Sequence, residues 1–204
     1  MLYGKEIFVI IAGYLLGCIC TGYYWVRFRT GNDIRSSGSG SAGARNVSRT
    51  LGKSGYAVTL TLDIVKGVIA VGLAVVLSVE RWAVVMTFLA VACGHIWPVQ
   101  LRFQGGKGVA VMLGAMMVFD YRALIILVTA CGLLYLCTRK YIISGAVGLL
   151  TLPVSAIVLK FPMSEIAGMI LLILIILFAH RANIYDVIQS YQSEAAQQAK
   201  EQGG

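Results

Sequence analysis

IFVIIAGYLLGCICTGYYWV, residues 7–26, is twenty consecutive positions without a formal charge. A helix rises ~1.5 Å per residue and needs about 20 apolar residues to cross a hydrocarbon core of roughly 30 Å, so this run is long enough to span a bilayer. It lacks the basic flank and the cleavage site of a secretory leader and reads as a retained span. Further apolar runs follow near 55–79, 82–99, 122–137, 142–160 and 164–182, with a shorter one at 109–119. Together with the first run, near 4–26, they predict an all-α, polytopic membrane bundle of about seven transmembrane helices over residues 1–189. The short run persists as a span only where its end is buried in protein or lines a cavity. Residues 190–204, rich in Gln and Ala, read as a polar tail that frays or stays disordered.

The rest of the composition agrees. Hydrophobic residues make up 58% of the chain, charged residues 13%, and mean hydropathy is +0.81; a soluble domain needs less than this to fill its core. The net charge of +8 does not point to nucleic acid, because the Lys and Arg residues sit mostly between apolar runs, where they orient the chain against anionic lipid. With seven spans, one set of loops holds Arg27, Arg29, Arg35, Arg45, Arg49, Lys53, Arg102, Lys107, Arg139, Lys140, Arg181 and Lys200, and the other holds Lys5, Arg81, Arg122 and Lys160. The positive-inside rule then places the N-terminus outside and the C-terminus, with every glycine-rich loop, in the cytoplasm. Cys18, Cys20, Cys93, Cys131 and Cys137 lie in or beside apolar runs without metal-ligand spacing, so neither a structural metal nor a disulfide is expected. Trp25, Trp82 and Trp97 fall at span ends and read as interfacial anchors.

Two connections carry chemistry. The first is GSGSAGARNVSR, residues 38–49, where Gly38 and Gly40 free the backbone for close approach to a ligand. The helix that follows aims its N-terminal N–H groups and positive dipole end at the same place. Arg45 and Arg49 add planar forks suited to phosphate oxygens, and Ser39, Ser41 and Asn46 add neutral hydrogen bonds. The second is GHIWPVQLRFQGGKGVA, residues 94–110: Pro98 ends one helix, and Gly105, Gly106, Lys107 and Gly108 form a glycine-rich turn ahead of the next. A Walker A loop is excluded, because Leu101 and Gly108 stand where that motif requires Gly and Ser or Thr.

His95 lies beside this second loop, where a near-neutral imidazole handles protons in transfer chemistry or simply satisfies a backbone carbonyl. A third constellation, HRANI at 180–184, ends the last span, with interfacial snorkelling as the plain reading of Arg181. Asp63 and Lys66 sit at i and i+3 inside a span, on one helix face. A lone aspartate at a helix centre costs about 2.5–3.5 kcal/mol to insert, so the two either pair or face a polar cavity that contacts substrate. No metal-ligand cluster and no hydrolase carboxylate pair is present.

Taken in order, GSGSAGARNVSR, LDIVKG, GHIWPV, FQGGKGVA and HRANI closely resemble the bacterial acyl-phosphate:glycerol-3-phosphate acyltransferase family, PlsY, over about residues 9–186. The resemblance implies transfer of a fatty acyl group from acyl phosphate to the first hydroxyl of glycerol 3-phosphate, giving lysophosphatidic acid and phosphate. It implies no cofactor, no metal, no acyl-CoA and no obligatory protein partner beyond the membrane lipid. Position by position, Ser39 is similar to the family's catalytic serine, and His95 and Asn183 to its other site residues. Asn46, Arg49, Lys107 and His180 are similar to its phosphate and substrate contacts. The chain departs from the family at Ser41, where Asn is usual, and at Arg45 and Val111, where Thr is frequent. The H-x-x-x-x-D signature of other glycerolipid acyltransferases is absent.

Two other classes compete. A small-anion transporter also aims helix N-termini at its cargo, but its site tends to lie at the midplane between matched halves, whereas these motifs cluster at one face without an internal repeat. A non-catalytic scaffold needs the basic charge and tolerates loss of Ser39.

Overall fold

The computed structural model describes residues 3–202, with side chains described for 3–193. Its helices in chain order are α1 (Gly4–Cys18), α2 (Thr21–Thr30), α3 (Ala44–Val76), α4 (Arg81–Ile96), α5 (Val109–Phe119), α6 (Tyr121–Thr138), α7 (Tyr141–Leu149), α8 (Thr151–Val158) and α9 (Met163–Gln202). No strand occurs among the described residues. Six segments are long and apolar enough to cross a bilayer: α1 with α2, α3, α4 with the turn after it, α6, α7 with α8, and α9. Each coincides with an apolar run of the sequence. The seventh run is α5, whose 11 residues extend only about 16 Å. It survives as a partial span because Val111, Met112, Ala115 and Met116 are buried in the bundle. Helix α9 continues without interruption through residue 190, where the composition turns polar.

Lipid provides little hydrophobic drive between helices, so close packing decides which helices pair. Gly17 of α1 lies against the Val91 carbonyl of α4, and Gly94 of α4 against the Tyr14 carbonyl of α1; a Cβ at either place would collide with backbone. Gly67 of α3 and Gly114 of α5 meet the Val111 and Ile64 carbonyls in the same way. These two tight seams fix α1 on α4 and α3 on α5. The core between and beside them contains Val9, Val71, Val91, Met112, Met116, Leu172 and Ile176. Ile7, Phe8, Ile11 and Leu15 of α1 and Ile170, Leu171 and Leu174 of α9 face outward, as lipid-facing positions should.

Two breaks interrupt the spans. Gly52, with φ 65°, separates residues 44–51 from the membrane-crossing part of α3. Ile19 and Cys20, with ψ 84° and 89°, separate α1 from α2. The second break frees carbonyls at bilayer depth, where each unsatisfied group costs several kcal/mol. Lys66 Nζ donates to the Gly17 and Ile19 carbonyls at 3.2 and 2.8 Å, and Gln100 Nε2 donates to that of Cys18 at 2.5 Å. The Asp63–Lys66 pair is therefore internal, with Nζ 2.9 Å from Oδ1 and both side chains buried.

The two ends of the bundle differ. One end gathers the 31–43 and 97–108 loops, the α6–α7 turn and the polar part of α9. The other carries the Arg81–Glu165 bridge (2.7 Å), the Arg122–Asp120 bridge (2.7 Å) and Tyr3 edge-on to Trp82.

Gly94→Leu, which drives a side chain into the Tyr14 carbonyl, is expected to destabilise the detergent-solubilised protein by about 3 kcal/mol or more, whereas Gly72→Leu, facing open space, should cost less than about 1 kcal/mol. Thermal unfolding of the two variants beside the parent measures the difference.

Candidate active site

The 31–43 loop is wound around one side chain. The Asn46 amide nitrogen, on the first turn of α3, lies 3.1, 2.9 and 3.0 Å from the carbonyls of Ile34, Ser37 and Ser41, and its Oδ1 accepts from the Ser39 N–H at 3.0 Å. Two amide hydrogens shared among three carbonyls, plus one accepted bond, leave Asn46 fully engaged and 3% exposed. Gly38 (φ 58°) and Gly40 (φ 67°) hold the left-handed turns this winding requires. A Cβ at Gly38 would run onto Asn46 Oδ1 and crowd the Arg49 guanidinium, so Arg49 lies directly against the stretch that presents Ser39. The Ser39 side chain is exposed, whereas Ser41 is buried and its Oγ accepts from the Gly43 N–H at 3.2 Å. Ser41 thus shapes the entry to α3.

Arg35 joins this loop to the next. Its guanidinium is paired with Asp33 (2.6 Å) and donates to the Leu101 carbonyl at 2.7 Å. The hydrogen-bonded guanidinium holds the Asp33 carboxyl below the usual carboxylate range. A second tie is the Ala42 N–H to the Gly105 carbonyl at 3.1 Å. The 97–108 loop leaves α4 through Trp97 and Pro98, turns through left-handed Arg102 and Phe103, and returns under α4. There the Gly105 and Gly106 N–H groups donate to the Ile96 and His95 carbonyls at 3.1 and 2.9 Å. Gly108, with φ 84°, caps α5.

Lys107 is half-buried beside this turn. Burial pushes its ammonium below the ordinary lysine value; Asp186 opposes that shift, and Arg45 and Arg49 reinforce it. One acidic and three basic groups from α3, the turn and α9 therefore share one electrostatic neighbourhood. His180 of α9 also feels the Lys107 charge, and its Nδ1 sits 2.9 Å from the Ile176 carbonyl. Because a carbonyl only accepts, Nδ1 bears the proton and Nε2 is the free edge. Asn183 follows at i+3 on the same helix and is half-buried. Arg181 turns away, donating to the Phe178 carbonyl at 2.9 Å and stacking on that ring. Arg45 stacks on Tyr141, at the start of α7, 3.5 Å from the ring centroid.

His95 is not open to the loops' outer surface. It is 2% exposed, its Nδ1 is 2.8 Å from Lys66 Nζ, and its other edge is pressed against Gly106. Sequence reasoning did not single out Arg35, Tyr141 or Asp186. Asp186 was within reach, as it shares the i+3 spacing with Asn183; no local pattern connects Tyr141 to Arg45 or Arg35 to Leu101.

Asn46→Ala removes one acceptor and the donors to three carbonyls, an expected loss of about 1–3 kcal/mol from the loop alone. Limited proteolysis with trypsin under native conditions should cleave at Arg35, Arg45 or Arg49 roughly ten times faster or more in this variant.

Comparison with known proteins gives a single answer. The glycerol-3-phosphate acyltransferase family model matches residues 7–190. The chain is 37% identical over 187 residues to glycerol-3-phosphate acyltransferase 1 of Desulfitobacterium hafniense (strain Y51), covering 90% of this chain and 91% of that one. It is 37% identical over 194 residues to the glycerol-3-phosphate acyltransferase of Thermoanaerobacter sp. (strain X514), covering 93% and 96%. Among solved structures, the crystal structure of PlsY, an integral membrane glycerol 3-phosphate acyltransferase, in its glycerol 3-phosphate form superimposes with a TM-score of 0.85 at 30% identity, covering 92% of this chain and 94% of that one. Its lysophosphatidic acid form gives 0.83 at 29%, covering 92% and 93%. With its membrane bundle, its paired glycine-rich loops and these matches across nearly its whole length, the chain belongs to the glycerol-3-phosphate acyltransferase (PlsY) family.

Proposed function

We propose that this protein transfers a fatty acyl group from an acyl phosphate to the 1-hydroxyl of glycerol 3-phosphate, releasing lysophosphatidic acid and inorganic phosphate at the cytoplasmic face of a bacterial inner membrane. The observation that carries this reading is the convergence of Lys107, Arg45 and Arg49 with the N-termini of α3 and α5 at one end of a membrane bundle. Such a place holds phosphate groups, and both reactants carry one. The related crystal structures in glycerol 3-phosphate and lysophosphatidic acid forms support this choice of acceptor and product. The concentration of Lys and Arg at the loop-bearing end supports a cytoplasmic site.

In the proposed reaction the acceptor hydroxyl oxygen attacks the acyl carbonyl carbon, the bond from that carbon to the phosphate oxygen breaks, and the hydroxyl proton leaves with the phosphate. An acyl phosphate is already activated, so the protein supplies position and charge rather than a cofactor. Lys107, Arg49 and His180 hold phosphate oxygens, with Gly105, Gly106 and Gly108 letting the backbone approach. Ser39, exposed beside Arg49, and Asn183, on the face of His180, are assigned to the reacting groups. Asn46, Gly38, Gly40 and Ser41 keep the first loop in shape, and Arg45, stacked on Tyr141, lends charge. The acyl chain lies among lipid-facing helices.

With purified protein, palmitoyl phosphate and glycerol 3-phosphate, phosphate release and lysophosphatidic acid should appear together, and palmitoyl-CoA should fail as donor. Lys107→Ala should lower kcat/KM by about 100-fold, the scale of a charge-assisted hydrogen bond or two. No product from the parent protein rules the reaction out.

Lys107 holds phosphate in its protonated form, and its burial brings deprotonation to lower pH than in an ordinary lysine. Activity should therefore fall as pH rises from neutral, before the usual lysine range is reached. In Lys107→Arg, whose guanidinium does not titrate, that alkaline decline should move up or disappear; an unchanged decline would assign it to another group.

A further inference from the structure

Lys66 Nζ has four neighbours within hydrogen-bonding distance: the carbonyls of Gly17 (3.2 Å) and Ile19 (2.8 Å), Asp63 Oδ1 (2.9 Å) and His95 Nδ1 (2.8 Å). An ammonium offers three hydrogens and no lone pair; the Gly17 and Ile19 carbonyls and His95 Nδ1 take the three, while Asp63 Oδ1 lies beside the charge as an ion pair without a hydrogen bond of its own. The amine is charged, because a neutral one would leave the buried Asp63 carboxylate at 2.9 Å without a counter-charge. The two carbonyl oxygens accept in any case. His95 Nδ1 accepts only when it bears no hydrogen, and a neutral ring with a bare Nδ1 carries its proton on Nε2. Asp63 Oδ1 is itself 3.9 Å from Nδ1, beyond hydrogen-bond reach.

The Nε2 edge faces the second loop. A Cβ placed on Gly106 would land on His95 Nε2 and Cε1. The His95 carbonyl also accepts from the Gly106 N–H at 2.9 Å and from the Cys20 thiol at 3.6 Å. His95 therefore holds the residue before Lys107 through its backbone and abuts it with its ring. His180 is oriented in the opposite sense, with Nδ1 protonated toward the Ile176 carbonyl.

We propose that Asp63 and Lys66 are positioning residues that hold His95 as the neutral, Nε2-protonated ring beneath the 105–107 turn, so that His95 sets the placement of the phosphate-facing turn. The role of the turn rests on the acyltransferase reading above; the protonation of the ring does not.

The chain has two histidines, so 15N-histidine labelling of the full-length protein in detergent yields two rings, with His180→Asn assigning them. The expected spectrum at neutral pH is one neutral ring protonated on Nε2, belonging to His95, and one on Nδ1. A His95 ring protonated on Nδ1, or on both nitrogens, overturns the proposal. Lys66→Met should remove the Nε2 preference of His95; an unchanged His95 signal in this variant rejects the part assigned to Lys66. In kinetics, Lys66→Met and Gly106→Ala should raise KM for glycerol 3-phosphate about tenfold while kcat changes less than about threefold. His95→Gln should likewise raise KM while keeping kcat within about tenfold, and a loss of about 100-fold or more in kcat at constant KM would reject a positioning role for His95. If Lys66→Met does not fold, the parent spectrum and Gly106→Ala still decide. A parent protein that makes no product refutes the acyltransferase reading, while the resonances still report the tautomer.

Discussion

A buried ammonium organises this bundle. Backbone polar groups at bilayer depth have no water to bond, so a helix that breaks there must find its partners in other side chains. The interruption between α1 and α2 is tolerated because Lys66 reaches across from α3 to two of its carbonyls and Gln100 takes a third. The charge that makes Lys66 a strong donor is balanced by Asp63 one helical turn earlier. A single side chain thereby ties the end of α1 to α3 and, through His95, to α4. An apolar residue at this position would leave both the break and the carboxylate exposed to a medium that solvates neither.

The site depends on this arrangement at one remove. The two glycine-rich loops are joined by backbone and guanidinium bonds, Ala42 to Gly105 and Arg35 to Leu101, and the second rests on His95 through Gly106. The loops are a surface supported from below. Their outer face carries the exposed Ser39 and the cations around Lys107, while Asn46 and Ser41 are consumed in internal bonds. In the reaction proposed above, anion recognition would come from pre-set backbone and fixed charge, which reorganise little when a ligand arrives.

The spans were legible in the sequence because the solvent imposes a length, and apolar runs such as 7–26 and 164–182 satisfy it without regard to their neighbours. The loops were legible because glycine, arginine and a following helix start are local features. Other aspects were not. Asn46 reads equally well as a ligand or an organiser, and only the path of residues 34–41 around its amide assigns the second role. Asp63 and Lys66 announce a pair by spacing, but their service to the α1–α2 break depends on where α1 packs, which the Gly17 and Gly94 seam decides. The stacking of Arg45 on Tyr141 joins residues almost a hundred positions apart, and no periodicity encodes it.

The far end of the bundle has one more consequence. Lys5, Arg81, Arg122 and Lys160 there are matched in number by Glu6, Glu80, Asp120 and Glu165, two of the pairs in direct contact. Asp63 and Lys66 cancel in the interior. The whole formal side-chain charge of +8 therefore resides at the loop-bearing end and in the chain that continues from it. The molecule is an axial electric dipole in addition to being a catalyst scaffold. Across an energised membrane, turning it over would carry each unmatched charge through the voltage at about 2.3 kcal/mol per 100 mV. With the loop-bearing end on the negative side, as proposed above, the membrane potential itself opposes that reversal.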